Sequence, residues 1–150
     1  RLLEEGFNVD VAIRGKETVQ GILGTTVTPT RDIMGINTND YDLLVLPGGV
    51  KAIEKVRQDK EVIEFIKGFH ERGGVIAAIC HGTQLLISSK IIKGKKISGY
   101  YSIEDDINNA GATYVDAPFV TDERIVTCPH YKYLGDWMKE TIRVYRLFLN

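Results

Sequence analysis

Apolar runs and amphipathic segments alternate along the chain from about residue 42 onward. Residues 42–47 and 75–79 are rich in Leu, Val and Ile, and each run ends abruptly, which indicates buried strands of a parallel sheet. Between them, residues 59–72 carry apolar side chains at helical spacing, with Asp59 as the expected N-cap and Gly73 just after the end. This alternation predicts an α/β fold.

Weaker patterns predict the remaining elements. Residues 1–6 are typical of the last turns of a helix that ends at Gly6, so we expect a strand and most of that helix to precede Arg1. The segment 131–148 is predicted as an amphipathic helix, with core candidates Leu134, Trp137, Met138, Ile142 and Tyr145. The other predicted elements are strands at 7–13, 97–101, 113–115, 119–120 and 125–128, a hairpin or irregular extended segment at 15–28, and short helices at 52–57 and from 102 or 103 to 110.

These elements predict one domain over residues 1–150. Its architecture is a doubly wound, mostly parallel sheet between helices, with the N-terminal strand missing from this chain. In such sheets, functional sites lie outside the carboxyl ends of the strands. Three segments are expected at that edge of the sheet, namely residues 47–49, 80–82 and 128–130.

The most informative of these segments begins at Cys80, directly after the apolar run 75–79. His81 and Gly82 come next, and a segment with helical spacing starts behind them. A strand that delivers a thiol to a sharp turn before a helix has the layout of a nucleophile elbow, and the start of a helix stabilises a thiolate. A small residue such as Gly82 suits a tight turn. The sequence therefore predicts Cys80 as the reactive group.

Composition and charge exclude several classes of function. The net charge is −1, with 19 basic and 20 acidic residues mixed along the chain, so no basic stripe indicates nucleic-acid binding. The apolar runs are too short to span a membrane, and no signal-peptide pattern is present. The two cysteines, Cys80 and Cys128, are too few for a disulfide framework, which favours a reduced, cytoplasmic setting. No His and Cys spacing predicts a metal site.

Four sequence blocks resemble the PfpI-type intracellular protease family, which belongs to the class I glutamine amidotransferase-like superfamily. In collinear order they are 43–49 (LLVLPGG), 77–86 (AAICHGTQLL), 94–97 (GKKI), and 105–112 (DDINNAGA) with Val115 and Asp116 after it. The resemblance implies a flavodoxin-like sandwich, a homodimer or homohexamer, and no cofactor. It also implies the activities described for members, which are cysteine peptidase, cofactor-independent glyoxalase and deglycase.

The resemblance also implies roles for individual residues. Cys80 matches the family nucleophile, and His81 matches the histidine that pairs with its thiolate. Glu54 falls where members have a glutamate that reaches the histidine of a neighbouring subunit, although the loop after Gly49 is one residue longer here. The backbone N–H groups of Gly49 and His81 are the expected oxyanion donors.

Two features of this chain depart from the family pattern. In members, a glutamate that hydrogen-bonds the cysteine ends a strand that would lie upstream of Arg1. Residues 128–130 (CPH) stand where members have a Ser-Arg-x-Pro type of loop, and in glutamine amidotransferases the catalytic histidine precedes the last helix at about this point. His130 is therefore a rival to Glu54 as the group that completes the site around Cys80.

The sequence thus predicts a cofactor-independent cysteine hydrolase. The Cys80 thiolate would attack a peptide carbonyl, or the carbonyl carbon of a reactive aldehyde, ketone or glycated substrate. The alternative is a non-catalytic stress protein that senses oxidants through Cys80, since an accessible thiolate oxidises selectively.

Overall fold

The computed structural model of the protein, which describes residues 1–149, contains two compact units. The first unit is Arg1–Asp40, and the second begins at Tyr41. Each unit has its own strands and its own hydrogen bonds. The single domain over residues 1–150 stays a prediction.

The first unit is built from short strands. They are β1 (Ala12–Ile13), β2 (Val19–Gln20), β3 (Thr26–Val27) and β4 (Arg31–Asp32). β2 and β3 pair in antiparallel orientation, so the predicted hairpin is confirmed, while β1 pairs with β4 in parallel. Gly6 ends the first turn at φ 84°, and the Phe7 N–H donates to the Leu2 carbonyl, as expected for a helix C-terminal cap.

The strand predicted over residues 7–13 is present only at its end, in β1. Val11 donates its N–H to the Thr30 hydroxyl at 2.9 Å, and Asp10 accepts hydrogen bonds from Thr30 and Arg31. The Val11 N–H thus bonds to a side chain rather than to a neighbouring strand. The β-branched pattern is wrong as a guide to length here, because only residues 12 and 13 pair with β4.

The second unit contains a four-stranded sheet. Its order is β5-β6-β10-β9; β5, β6 and β10 are parallel, and β9 is antiparallel to β10, so the predicted mostly parallel α/β sheet is confirmed. A separate parallel pair is formed by β7 and β8. In chain order the elements are β5 (Leu43–Leu46), α1 (Val50–Val56), α2 (Lys60–Glu71), β6 (Val75–Ile79), α3 (Thr83–Ser88), β7 (Lys96–Ile97), α4 (Glu104–Asn109), β8 (Thr113–Tyr114), β9 (Val120–Asp122), β10 (Ile125–Cys128) and α5 (Leu134–Leu149).

The core of the second unit lies on both faces of β6. Alternate residues of β6 and β10 form one apolar cluster with Trp137 and Val144 of α5. Trp137 also donates its indole N–H to the Val126 carbonyl at 3.1 Å, so its polar atom is satisfied inside the core. On the opposite face Ile76 and Ala78 are fully buried. Burial on both faces explains why residues 75–79 are apolar throughout.

The two long helices follow their predicted patterns with one exception. Asp59 caps α2 by accepting from the N–H groups of its first turn, as predicted. A 3₁₀ turn, Tyr131–Tyr133, precedes α5, so Leu134 is the first residue of the helix proper and is 51% exposed. The prediction of Leu134 as a core residue is therefore wrong. Within residues 1–149, no helix has both the length and the apolar character needed to cross a bilayer.

The strand predicted over residues 97–101 is also wrong beyond Ile97, because the chain leaves the sheet there. Ser98 donates its N–H to the Thr127 hydroxyl at 2.8 Å, and the Tyr100 N–H donates to the Cys80 carbonyl at 3.3 Å. A 3₁₀ turn, Tyr101–Ile103, then leads into α4. These bonds bring Tyr100 to the turn that follows β6.

Candidate active site

The carboxyl ends of three parallel strands meet at one edge of the sheet. Leu46 of β5 pairs in register with Ala78 of β6, and Ile79 of β6 pairs with Cys128 of β10. The segments that follow these strands are residues 47–49, 80–82 and 129–130. The structure therefore brings together the three segments that the sequence predicted at this edge.

Cys80 occupies a sharp turn between β6 and α3. Its φ is 60°, in the left-handed region, and a 3₁₀ turn, Cys80–Gly82, leads directly into the helix. A non-glycine residue in this conformation costs about 1–3 kcal/mol and tends to mark a functional turn. The backbone thus has the strand–turn–helix form of a nucleophile elbow.

Two glycines allow the chain to pack tightly around the turn. A Cβ on Gly82 would lie 2.6 Å from the Leu46 carbonyl oxygen and 2.7 Å from the Pro47 carbonyl oxygen. A Cβ on Gly48 would lie 2.9 Å from the Cys80 Cβ and 3.4 Å from its Sγ. Neither position has room for a side chain, so both glycines hold the end of β5 against the turn.

His81 is the imidazole that contacts the thiol. Its Nδ1 lies 3.4 Å from the Cys80 Sγ, within hydrogen-bonding distance for sulfur. The side chain is buried, with 8% of the residue exposed, and this burial lowers the pKa of His81 below its ordinary value of 6.5. The ring is therefore neutral at pH 7 and can accept a proton from the thiol.

Aromatic rings extend from His81 toward the surface. Tyr100 stacks on the His81 ring with centroids 4.8 Å apart, and Tyr101 lies 5.5 Å from Tyr100. The His130 ring is 6.3 Å from Tyr100 and 4.0 Å from Tyr131, which is 75% exposed. Tyr100 therefore stacks on the imidazoles of both His81 and His130.

His130, the predicted rival, has a different partner. Its Nδ1 accepts a hydrogen bond from the Lys132 N–H at 3.1 Å, which caps the 3₁₀ turn before α5. No hydrogen bond joins His130 to Cys80 in the described part of the chain, and Tyr100 stacks on both imidazoles. A catalytic role for His130 stays a prediction.

Glu54 lies exposed on α1. Its side chain forms no hydrogen bond or ion pair with any of residues 1–149, and its backbone carbonyl accepts a hydrogen bond from the Gln58 side chain at 2.8 Å. The described chain does not bring this carboxylate to the Cys80–His81 pair. A role for Glu54 across a subunit interface stays a prediction.

Gly49, one of the two predicted oxyanion donors, caps the start of α1. Its φ of 103° and ψ of 108° belong to a region that essentially only glycine adopts. Its carbonyl accepts from Ile53, whereas its own N–H has no acceptor among the described residues. Gly49 follows Gly48, which lies against Cys80. Its role as an oxyanion donor, like that of His81, stays a prediction.

No group of three or more His, Cys, Asp or Glu side chains within residues 1–149 is arranged to hold a metal ion. Both cysteines are free thiols. At the turn, the thiol of Cys80 lies beside the imidazole of His81.

Sequence reasoning did not predict two parts of this site, namely the close contact of Gly48 with Cys80 and the stacking of Tyr100 on His81. Signals for both exist in the sequence. Two glycines follow the β5 run, and an aromatic pair follows the β7 run, each at the carboxyl end of a strand. The sequence does not show that the segment after β7 lies beside Cys80. Ser98 of this segment bonds to the Thr127 hydroxyl, and the two residues are far apart in sequence.

Comparison with known proteins gives consistent matches. The profile of the DJ-1/PfpI family matches residues 1–144. Deglycase PfpI of Pyrococcus furiosus is 37% identical over 144 residues, which cover 96% of this chain and 86% of the relative. The putative cysteine protease YraA of Bacillus subtilis is 43% identical over 127 residues, covering 83% of this chain and 73% of the relative.

A solved structure extends the match to the fold. It is a two-domain protein from Anabaena variabilis with DJ-1/ThiJ/PfpI-like and ferritin-like domains, and it matches with a TM-score of 0.91 at 30% identity, covering 97% of this chain and 42% of that chain. The α/β fold is therefore flavodoxin-like, as the resemblance implied. Because the profile covers nearly the whole chain, the protein belongs to the DJ-1/PfpI family.

Proposed function

We propose that this protein is a cysteine hydrolase that needs no cofactor and acts on peptide or reactive-carbonyl substrates, including glycated amines. The observation that carries the proposal is the position of Cys80, at φ 60° on a strand-to-helix turn, with its Sγ 3.4 Å from His81 Nδ1. This pairing is that of a nucleophile and its base. Relatives named as a deglycase and a putative cysteine protease support the same class of chemistry.

In the proposed reaction, His81 takes the thiol proton and the Cys80 thiolate attacks the carbonyl carbon. A C–S bond forms while the π electrons of the carbonyl move onto its oxygen. With a peptide substrate, His81 then returns the proton to the departing amine as the C–N bond breaks and a thioester remains. An aldehyde such as methylglyoxal has no leaving group, so its hemithioacetal reaches a thioester by moving a proton from the former aldehyde carbon to the adjacent carbonyl carbon. Water attacks the resulting thioester, which releases the acid and restores the thiol. A neutral His81 suits the first step, because only the neutral ring can accept the proton.

Backbone N–H groups are the proposed partners of the oxygen that becomes charged. The N–H of Gly49 is without an acceptor among the described residues and belongs to the segment that contacts Cys80. Together with the N–H of His81, it would stabilise the oxyanion in the way that preorganised donors do in acyl transfer.

A second copy of the chain is part of this proposal. The exposed Glu54 carboxylate has no side-chain partner within residues 1–149, which leaves it available to the imidazole of a neighbouring subunit. A carboxylate there would orient the ring and stabilise its protonated form. The proposed assembly is therefore a homodimer or homohexamer.

Replacing each of the two cysteines separately tests the proposal. Cys80→Ala should remove turnover of methylglyoxal, of a glycated peptide and of a chromogenic peptide, because the nucleophile is gone. Cys128→Ala is the matched control, since it also removes a thiol, but one that is buried in the apolar cluster. Circular dichroism should show that both variants are folded. Undiminished turnover by Cys80→Ala on the substrates that the wild type uses would sink the proposal.

The alternative candidate is a stress protein that senses oxidants without turnover. It is favoured by one observation, that Cys80 is partly exposed whereas Cys128 is buried, so oxidants meet Cys80 first. Wild-type protein that turns over none of the three substrates, yet is oxidised at Cys80 by mild peroxide, would select this alternative.

A further inference from the structure

Cys128 ends the strand next to the one that carries Cys80. It pairs in register with Ile79, the residue that immediately precedes Cys80. Neighbouring strands lie about 4.8 Å apart and consecutive Cα atoms about 3.8 Å apart, so a step from Ile79 to Cys80 at right angles to the strand spacing gives about 6 Å between the two cysteine Cα atoms. Disulfides commonly span Cα separations of this size. Both thiols are free in this structure.

The side chains meet the same apolar cluster but differ in access to solvent. Cys80 packs against the cluster from the turn, while Cys128 is a fully buried member of it. Burial raises the pKa of Cys128, a hydrogen bond between its Sγ and the His130 backbone opposes this rise, and the charges of the nearby Cys80 and Asp136 add to it. A solution oxidant therefore meets Cys80 first, and Cys128 stays a thiol beside it.

We propose that Cys128 is the resolving thiol for oxidised Cys80, so that a hydroperoxide converts the pair into an intramolecular disulfide. In the first step the Cys80 thiolate attacks the terminal peroxide oxygen, the O–O bond breaks, and Cys80 sulfenic acid forms with release of water or an alcohol after protonation. In the second step the Cys128 sulfur attacks the Cys80 sulfur, an S–S bond forms, and the sulfenic oxygen leaves as water with the Cys128 proton. The two cysteine sulfurs are oxidised and the peroxide is reduced.

The consequence is reversible inactivation. The disulfide occupies the Cys80 sulfur, and a thiol reductant returns both cysteines to their starting state. Without a resolving thiol, sulfenic acid proceeds under peroxide to sulfinic acid, which ordinary thiols do not reduce. Cys128 would thus protect Cys80, whether Cys80 turns over a substrate or only senses oxidants.

The test is performed on the full chain with limiting hydrogen peroxide, followed by alkylation of free thiols and peptide mapping by mass spectrometry. The expected product is a linked pair of peptides, one with Cys80 and one with Cys128, whose mass is lower by two hydrogen atoms than the sum of the reduced peptides. Dithiothreitol should restore two free thiols. Cys80 sulfinic acid without any linked pair, or a disulfide between two chains, would overturn the proposal.

A variant gives an independent readout. In Cys128→Ala, Cys80 sulfenic acid should persist long enough to be trapped by dimedone, and further peroxide should give sulfinic acid that dithiothreitol does not reverse. Cys128→Val, which keeps an apolar side chain in the cluster, should behave in the same way if the effect is due to the thiol. If Cys80 in either folded variant recovers from peroxide as fully as in the wild type, Cys128 is not the resolving thiol.

Discussion

Cys80 and His81 show how a backbone conformation and burial together prepare two side chains for chemistry. The turn holds Cys80 at φ 60°, a conformation that a non-glycine residue adopts only when its surroundings enforce it. The next residue, His81, is buried against Tyr100 with its Nδ1 toward the thiol. To form a thiolate, the Cys80 thiol needs a base close to it, and that base must be neutral so that it can accept the proton.

The pH dependence of activity follows from the pKa of one residue, His81. Burial lowers the pKa of His81 below 6.5, so the ring stays neutral, and competent as a base, at pH values where an exposed histidine is already protonated. The acid limb of kcat/KM should therefore lie below pH 6.5. His81→Gln should lower kcat/KM by roughly 10²–10⁴-fold, the usual contribution of a general base. An acid limb centred above pH 6.5 would contradict this assignment.

Among the elements, the tight junction between the end of β5 and the turn after β6 sets the geometry of the site. Gly82 lies against the Leu46 and Pro47 carbonyls, and Gly48 lies against Cys80. Because backbone atoms lie closest to Gly82, and the Ile79 carbonyl and the Cys80 Cβ lie closest to Gly48, the junction yields less easily than a contact between the ends of flexible side chains.

Replacement of Gly82 by Ala tests this junction. The added Cβ would lie 2.6 Å from a backbone oxygen, so the strand end and the turn must separate. We expect a loss of about 1–3 kcal/mol in the free energy of unfolding, measured by urea denaturation, together with reduced turnover. Gly135→Ala in α5 is the matched control, because a Cβ there meets nothing within 4 Å. This change should raise the free energy of unfolding by at most about 1 kcal/mol. Wild-type stability in Gly82→Ala would refute the packing argument.

The sequence predicted those elements that carry a local signal. The buried strand β6, the capped helix α2 and the hairpin of β2 and β3 agree with prediction because apolar periodicity, the Asp59 cap and the glycine-rich turn are local signals. The strands expected at 7–13 and 97–101 were too long, because side-chain bonds from Thr30 and Thr127 divert the backbone there. Such bonds join residues far apart in sequence and leave no local pattern.

The candidate site was predictable in part for the same reason. Cys80, His81 and Gly49 belong to contiguous motifs at strand ends, and the structure brings their segments to one edge of the sheet. Tyr100 comes from a segment whose path depends on tertiary contacts, so the aromatic pair after β7 did not by itself predict that its ring lies on His81. Glu54 and His130 lie in adjacent segments, but neither has a described bond to Cys80.

For the whole molecule, the central question is whether the site is completed within one chain or by a second copy. Glu54 is exposed on α1, without a side-chain partner within residues 1–149. His130 stands on the same chain beyond Tyr100 and uses its Nδ1 to cap the turn before α5. The proposed assembly assigns the completing carboxylate to the neighbour.

Mixing two inactive variants distinguishes these arrangements. Cys80→Ala and Glu54→Ala should each be inactive alone, whereas chains refolded together should regain turnover. The reason is that a mixed interface joins Cys80 of one chain with Glu54 of the other. If Glu54 acts within its own chain, the mixture should remain as inactive as its components. If His130 completes the site instead, Glu54→Ala alone should keep its activity. His130→Gln, assayed in parallel, should keep most of its activity.

The most direct measurement is the identification of the covalent intermediate. The enzyme is mixed with a substrate that the wild type turns over, and the reaction is quenched in acid during turnover. The protein is then digested and mapped by mass spectrometry. We predict an adduct on the peptide that contains Cys80, absent from the peptide of Cys128 and absent when Cys80 is replaced by Ala. Continued turnover with no adduct on Cys80, and with equal rates in Cys80→Ala, would contradict the account.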